Sequence, residues 1–257
     1  MGIYLKQFET QAAYEAAESG LILPNVSLTL DNNTVHYNPS SPTPSHDYVE
    51  IGGVKWATMN VGANSVTDTG LYYAWGDISG YTADQVGSGE GQKYFGWTDY
   101  KWTEDDGETF TKYTCEGSGG GSGSGSGDGD GLCALESSDD AAQVNWGGSW
   151  RIPTAEEYAA LGNAVNTAWT ADYQGSGVAG MICTDKTDSS KVLFFPACGR
   201  CGNGSVINVG SIGFYWSSSL YSEIKAAYKL LITNSTALWD NFNDRNNGLT
   251  VRAVASE

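Results

Sequence analysis

From Tyr48 onward, short aromatic strings alternate with glycine, and this pattern constrains the chain more than any other feature. It recurs in GLYYAWGD at 70–77, in YFGWTDYKW at 94–102 and in NWGGSW at 145–150. Frequent glycines keep strands short, so each strand buries little apolar surface and large aromatic side chains must supply the core. The chain has 9 Trp, 15 Tyr and 7 Phe for that purpose. The pattern predicts a domain of short strands and long loops packed by Trp and Tyr.

Helical patterns are few and short. Residues 139–144 begin with acidic side chains, and Thr154 with Glu157 forms a capping box that predicts a helix over 154–161. Strand patterns recur beyond it, in GVAGMICTD, KVLFFPACG, AAYKLLIT, STALWDNF and GLTVRAV. Together they predict an α+β fold class with short strands, two main helices and long loops.

The N-terminal segment differs in its residue pattern from the rest of the chain, because it lacks the strings of aromatic residues and glycine. Residues 10–19 predict a short helix, and SLTLDNNTVHYNP alternates around Asp31-Asn32-Asn33, which indicates a hairpin. The prolines of SSPTPS indicate a stiff linker. We therefore expect a small α+β appendage over 1–46 and a main domain over 47–257.

The charge balance excludes several functional classes. With 13 Lys+Arg and 30 Asp+Glu, the formal net charge is −17, and such a surface repels nucleic-acid backbones. No apolar run reaches the roughly 18 residues of a membrane span, and MGIYLKQFETQ lacks the pattern of a secretory signal. His36 and His46 are the only histidines, which leaves little for histidine catalysis or zinc binding. No cofactor is expected.

The five cysteines cannot all pair internally. Cys115 and Cys133 flank the Gly/Ser-rich stretch 116–132, which reads as a flexible loop. A disulfide would close the base of that loop, and two unrelated thiols are an equal alternative. Cys198 and Cys201 form a CxxC flanked by glycine with no helix following, which favours structural thiols or one local disulfide.

Signals for metal binding or catalysis are weak. Asp128 and Asp130 have the oxygen ligands of a calcium loop, but no Glu closes it, so solvated acids are favoured. No motif of phosphate-binding, serine-nucleophile or zinc-protease chemistry is present. Glycosidic chemistry would need two carboxylates about 5–10 Å apart, which the sequence does not place. The carboxylates considered for it are Asp77, Asp99, Glu156 and Glu157. We therefore do not expect an enzyme.

The C-terminal strand patterns indicate a binding surface. Over 228–233, Tyr228, Leu230 and Ile232 share one face of the strand. Over 237–243, we assign Trp239 to the core, which turns its neighbours outward. The outward set is Lys229, Leu231, Thr233, Leu238, Asp240 and Phe242. Exposed Leu and Phe among charges are typical of an interface. The alternative is a strand pair buried on both faces.

The order of motifs in the chain also resembles a known family. The strings are WATMNVGA, GLYYAWGD, DAAQVNWGGSWRIPTAEEY, FFPACGR, GFYWSSSLYS and NGLTVRAV. In combination they resemble the FISUMP family of bacterial C-type-lectin-like domains, and within it the variable proteins of diversity-generating retroelements. The resemblance covers residues 47–257. The N-terminal segment is similar to a short module of gut bacteriophage structural proteins.

This resemblance implies a C-type lectin fold whose segment 213–254 carries a hypervariable ligand-binding face. Adenine-directed mutagenesis rewrites selected codons in such proteins and leaves the scaffold unchanged. The implied scaffold includes Trp216, Leu230 and Trp239. The implied variable positions are Tyr221, Ser222, Glu223, Ile224, Lys225, Lys229, Leu231, Thr233, Leu238, Asp240, Phe242, Asp244 and Arg245.

The implied function is non-catalytic ligand or receptor binding. The expected partner is a protein or glycan on a host or neighbouring cell surface. The expected location is a phage particle or the cell exterior, and the oligomeric state stays open.

Two rival functions belong to related folds. A calcium-dependent carbohydrate-binding lectin would need EPN-type and WND-type motifs, and the chain offers only Trp239-Asp240-Asn241 in the wrong order. Formylglycine-generating enzymes use a cysteine pair late in the chain. The local pair Cys198 and Cys201 does not match that arrangement.

Overall fold

The computed structural model describes residues 27–31, 34–38, 46–104, 107–115 and 130–255. In this part of the chain, fourteen strands accompany two α-helices, α1 (Ala141–Trp146) and α2 (Ala155–Ala164). The fold is therefore predominantly β, and the predicted α+β class is wrong. The helices that the sequence indicates here do form, but they span only six and ten residues, whereas strands take up far more of the described residues. The helix predicted over 10–19 lies outside the described residues.

The chain divides into two compact units, one of Met1–Ser45 with Trp146–Gly148 and the other of His46–Asn145 with Ser149–Glu257. In the first unit, β1 (Ser27–Asp31) pairs antiparallel with β2 (Thr34–Asn38), and Asp31 lies opposite Thr34. The hairpin predicted around Asp31-Asn32-Asn33 is therefore confirmed in its strands.

The second unit contains three sheets. Its strands in chain order are β3 (Tyr48–Ile51), β4 (Val54–Ala57), β5 (Trp150–Arg151), β6 (Val165–Thr170), β7 (Gly180–Asp185), β8 (Val192–Pro196), β9 (Cys198–Gly202), β10 (Ser205–Val209), β11 (Ile212–Leu220), β12 (Ala226–Thr233), β13 (Ala237–Asp244) and β14 (Val254–Ala255). The sheet orders are β3-β4-β14-β5, β6-β7-β8 and β10-β9-β11-β12-β13. Because β14 lies between β4 and β5, the end of the chain returns to strands near the start of the unit.

Local sequence explains the first hairpin and the start of α2. Gly52 and Gly53 connect β3 to β4 with φ of 63° and 78°, and two consecutive positive φ values suit glycine and match the twist of a hairpin. At α2, the Thr154 hydroxyl accepts from the Glu157 main-chain N–H while Glu157 accepts from the Thr154 N–H. The predicted capping box is therefore confirmed.

The core is aromatic, as the composition predicts. Its larger cluster packs Trp56, Tyr158, Phe195 and Tyr215 against aliphatic side chains from several strands. Trp216 is completely buried, and its indole N–H donates to the Tyr73 carbonyl at 2.8 Å. Trp216, which the resemblance assigns to the scaffold, therefore lies in the core.

Arg252 connects its own segment to two others inside this core, residues 57–60 and Phe194. Its guanidinium donates to the carbonyls of Ala57, Thr58 and Phe194 and to the Asn60 side chain, and it is completely buried. Burial lowers the pKa of Arg252, but the hydrogen bonds compensate the lost hydration. The segment that follows β13 is thereby fixed to the start of the unit.

Cys115 and Cys133 form a disulfide, with their Cα atoms 4.9 Å apart. The sequence left a disulfide and two unrelated thiols as equal alternatives, and the structure shows the disulfide, which closes the base of the Gly/Ser-rich stretch. Asp130 supports the same base, because its carboxylate accepts from the main-chain N–H groups of Tyr113, Thr114 and Leu132.

Candidate functional site

The β12–β13 pair forms the centre of the predicted binding surface. Tyr228 lies opposite Phe242 and Leu231 lies opposite Leu238, with a register shift between Lys229 and Leu231. A shift of this kind breaks the strict alternation of side chains along a strand. Faces that the sequence assigns correctly at one end of β12 can therefore be wrong at the other.

Along β13, the predicted alternation holds without interruption. Leu238, Asp240, Phe242 and Asp244 are exposed, and the residues between them are half-buried. Leu238 and Phe242 have 39% and 43% of their surface exposed, which is unusual for large apolar side chains. The outward placement of these four residues is therefore confirmed for β13, and the alternative of a pair buried on both faces is wrong.

Three aromatic rings form a cluster on this surface. Phe242 stacks on Tyr221 with ring centroids 4.1 Å apart and planes inclined by 16°. Tyr221 meets Tyr228 edge to face at 5.0 Å. The alternation of β12 puts Tyr228 on the inward face with Leu230 and Ile232, and for Tyr228 this is wrong. The register shift after Lys229 breaks the alternation, and Tyr228 lies opposite Phe242 on the outer face. Leu230 and Ile232 are completely buried, as predicted.

Lys229 does not lie on the surface, and its predicted outward placement is wrong. Only 4% of the residue is exposed, and its ammonium donates to the Phe242 carbonyl at 2.7 Å and to Asn243 Oδ1 at 3.0 Å. Burial and, to a smaller extent, nearby Arg200 lower the pKa of Lys229 while Asp244 raises it, and the net pKa is about 7. The lysine therefore holds the main chain that presents Phe242.

Arg245 is completely buried, so its predicted place among the exposed variable positions is also wrong. Its guanidinium donates to the Tyr100 hydroxyl and to the carbonyls of Lys112, Tyr113 and Ile224. Four aromatic rings surround it, with centroids 4.8 to 5.8 Å from the guanidinium carbon. Such cation–π contacts are strongest away from water. Arg245 is thus a structural anchor beneath the surface.

The turn between β11 and β12 carries five of the predicted positions. Ser222 and Glu223 are exposed, whereas Tyr221, Ile224 and Lys225 are half-buried. The turn is held at both ends, because Tyr221 N–H donates to the Ala226 carbonyl and Arg245 N–H donates to the Lys225 carbonyl. Leu231 and Thr233 on β12 are also half-buried.

A pocket of about 350 Å³ opens beside Phe242. Its lining comprises Trp97, Arg200, Asn203, Phe242, Asn243, Asp244, Asn246 and Asn247. Phe242 and Asp244 belong to the predicted set, so the pocket borders the β13 surface. The sequence reasoning missed Arg200, Trp97 and Asn203. Arg200 lies within the CGRC string, which was considered only for its thiols.

The three remaining cysteines, including the CxxC pair considered for redox or zinc chemistry, are buried. Cys183, Cys198 and Cys201 are buried free thiols, and burial raises the pKa of Cys183 and of Cys201 to about 12. The local disulfide considered for the CxxC does not form. A thiol with so high a pKa remains protonated and is a poor nucleophile at neutral pH.

Two of the carboxylates considered for glycosidic chemistry, Asp99 and Glu157, accept hydrogen bonds from residues close to them in the chain. Asp99 accepts from the main-chain N–H groups of residues 94–96. Glu157 pairs with Arg151 through two hydrogen bonds of 2.6 and 2.7 Å. Asp130 is not the solvated acid that was expected, since it accepts four hydrogen bonds at the loop base. Asp128 lies outside the described residues.

Among the residues that the structure describes, no group of three or more His, Cys, Asp or Glu side chains is arranged to hold a metal ion. In the same part of the chain, none of the helices combines the length and apolar character needed to cross a membrane.

Comparison with known proteins assigns no class to this protein. No protein family, curated protein or solved structure matches the chain. The site so far consists of an exposed aromatic cluster on a two-stranded ladder and a polar pocket beside it.

Proposed function

We propose that the chain is a non-catalytic ligand-binding protein whose binding face is the outer side of β12–β13 with the turn 221–225. The observation that carries this proposal is the stack of exposed Phe242 on half-buried Tyr221. Aromatic side chains lose little conformational entropy on binding and dominate the energy of many interfaces. Exposed Leu238 extends the apolar area, and Asp240 and Asp244 form a polar rim.

A rigid scaffold supports this face from behind. Leu230 and Ile232 anchor β12 in the core, and the two buried cations Lys229 and Arg245 hold the carbonyls of Phe242 and Ile224. Side chains that point away from such a scaffold contribute little to folding, so substitutions there cost within about 0.5 kcal/mol. This separation between a fixed frame and a replaceable face is what a diversified binding protein requires.

The resemblance to variable proteins of diversity-generating retroelements makes the proposal more specific. On this proposal, codon rewriting acts on the exposed positions of β13 and of the turn, and the partner is a protein or glycan on a host or neighbouring cell surface. Display on a phage particle or at the cell exterior follows from the same resemblance. A reverse-transcriptase gene beside this gene, with a near-copy of its 3′ coding segment, is the expected genomic arrangement.

The test is a selection followed by mapping. The protein is displayed against arrayed glycans and host surface proteins, and each ligand recovered is titrated against Phe242→Ala, Leu238→Ala and Tyr48→Ala. Tyr48 is the matched control, because it is an exposed aromatic residue on β3 in another sheet. Loss of about 2 kcal/mol, near 30-fold in affinity, is expected for Phe242→Ala and little change for the control. Ligands that respond equally to all three variants would contradict the proposed face.

Addition of EDTA separates this function from a calcium-dependent lectin. Binding through the aromatic face needs no metal ion, so the affinity should be unchanged by the chelator. Binding that disappears with EDTA and returns with calcium would favour the lectin.

A further inference from the structure

The pocket beside Phe242 contains polar groups that the protein itself leaves unused. Arg200 is half-buried and its guanidinium donates to Asn247 Oδ1, yet in the described part of the chain its remaining N–H groups have no acceptor and no carboxylate pairs with it. The Asn203 amide and the Asp244 carboxylate, both exposed in the same lining, also make no side-chain hydrogen bond there. Free donors and free acceptors thus converge on one cavity.

Two buried, hydrogen-bonded asparagines form the wall of the pocket next to Arg200. Asn246 and Asn247 are nearly buried, and their side chains form a network in which the Asn247 amide donates to Asn246 Oδ1 at 3.1 Å and the Asn246 amide donates to the Phe95 carbonyl at 3.2 Å. This network holds the acceptor of Arg200 in place. A buried amide network orients its members more firmly than exposed side chains can be oriented.

Trp97 supplies an apolar wall of the same pocket. Its ring meets Tyr100 and Phe110 edge to face, at 5.6 and 5.7 Å, which limits its movement. Phe242 lines the pocket as well. The lining therefore combines rings with convergent polar groups, and its volume of about 350 Å³ is at the lower end of the range for small-molecule sites, ~300–1,000 Å³.

The chemistry of the unused groups selects the ligand. Arg200 can only donate, the Asp244 carboxylate accepts, and the Asn203 amide can do both. A carboxylate ligand would satisfy Arg200 but would face Asp244 and the acidic chain as a whole. Hydroxyl groups donate and accept, so neighbouring hydroxyls on one ring can satisfy all three side chains. The C–H faces of such a ring can pack on an aromatic wall.

We propose that this pocket binds one neutral sugar residue of a glycan without a metal ion, through Arg200, Asn203 and Asp244 with Trp97 as the apolar wall. The inference rests on the proposed binding function and names a ligand class for its pocket. It adds Arg200, Asn203 and Trp97, none of which belongs to the predicted variable set. These three residues would form the constant part of the subsite, whereas Asp244 and Phe242 belong to the face whose residues vary.

The experiment titrates the full chain with D-glucose, D-galactose, D-mannose and N-acetyl-D-glucosamine, followed by NMR of the Trp97 indole N–H. D-glucuronate and cyclohexanol serve as comparison probes. At least one neutral sugar should shift the Trp97 signal saturably, in the presence of EDTA, and should bind more tightly than either comparison probe. Arg200→Gln and Asn203→Ala should each weaken that binding about tenfold, which is the loss of one good hydrogen bond. Tyr48→Ala, at an exposed aromatic residue on β3 in another sheet, should leave it unchanged.

Four outcomes would overturn the inference: no saturable shift with any neutral sugar, tighter binding of glucuronate, a requirement for calcium, or full retention of sugar binding in Arg200→Gln. The two proposals fail separately. If no sugar binds while a selected ligand still depends on Leu238, only the pocket assignment falls. If a sugar binds through Arg200 while no ligand depends on Leu238 or Phe242, only the proposed face falls.

Discussion

The Lys229 ammonium lies 2.7 Å from the main-chain carbonyl of Phe242 and donates a hydrogen bond to it. One of the most buried charges in the sheet therefore supports the residue whose ring is among the most exposed. The ammonium also donates to Asn243 Oδ1 and lies 5.0 Å from the centre of the Phe214 ring. The proposed binding face and the core are linked at this point, because the Lys229 side chain packs in the core and holds the main chain of the face.

The first prediction is that stability rises with pH just above neutrality. Lys229 has a pKa of about 7 in the folded state, below the ordinary value of 10.5. Between these two pKa values, residue 229 is protonated more often in the unfolded chain than in the folded chain. The free energy of unfolding therefore increases with pH in this range. The slope contributed by one group is at most ~1.4 kcal/mol per pH unit.

The measurement is urea unfolding between pH 7 and the ordinary thiol pKa of 9.0, above which the buried thiols of Cys183 and Cys201 act in the opposite direction. Lys229→Met should remove the rise. Lys186→Met is the matched control, since Lys186 also donates to a main-chain carbonyl but is exposed. An equal slope in Lys229→Met would show that other groups produce it.

The second prediction separates two neighbours that the sequence treats alike. Arg245→Met should destabilise the protein by roughly 3 kcal/mol or more, because it leaves the buried carbonyl of Tyr113 and the partly buried carbonyls of Lys112 and Ile224 without this donor. Asp244→Ala should change stability by no more than about 0.5 kcal/mol, since its side chain is exposed. Thermal unfolding of both variants gives the comparison. Equal tolerance at the two positions would return Arg245 to the variable set.

The third prediction concerns the contact between α2 and β13. A Cβ atom on Gly162 would lie 2.6 Å from the Trp239 ring, so Gly162→Ala should destabilise the protein although alanine favours helices. Replacing Trp239 by Ala removes the clash. In that background Gly162→Ala should stabilise by up to about 1 kcal/mol, the ordinary helix preference of alanine over glycine. A double-mutant cycle measures this reversal of sign, and additive effects would contradict the contact.

The fourth prediction concerns the disulfide between Cys115 and Cys133, which are 18 residues apart. Closing a loop of this length restricts the unfolded chain, so replacing both cysteines by Ser should cost about 3 kcal/mol. Denaturant unfolding of the oxidised protein and of the double variant gives the difference. Addition of a reducing agent should lower the stability of the first and leave the second unchanged. A double variant as stable as the oxidised protein would show that Asp130 alone holds the loop base.

Several features were predictable because they depend on residues close together in the chain. The paired glycines of the β3–β4 turn, the Thr154–Glu157 capping box and the alternation of β13 follow from backbone preferences and period-two geometry. The aromatic core also followed from composition. The fold class did not, because the patterns mark single strands, and only the folded chain shows how many of them pair into sheets and that β14 lies between β4 and β5.

Local patterns were enough to predict that Leu238, Asp240 and Phe242 point outward and that Trp and Tyr side chains fill the core. The positions of Lys229, Arg245 and Tyr228 depend instead on contacts with other segments. Tyr228 lies opposite Phe242 across a ladder whose register shifts after Lys229, and the rings of Tyr100, Phe110 and Tyr113 surround Arg245. Alternation describes one strand in isolation, whereas burial depends on which distant segments cover it. The pocket around Arg200 has the same origin, since its lining comes from three segments that only folding brings together.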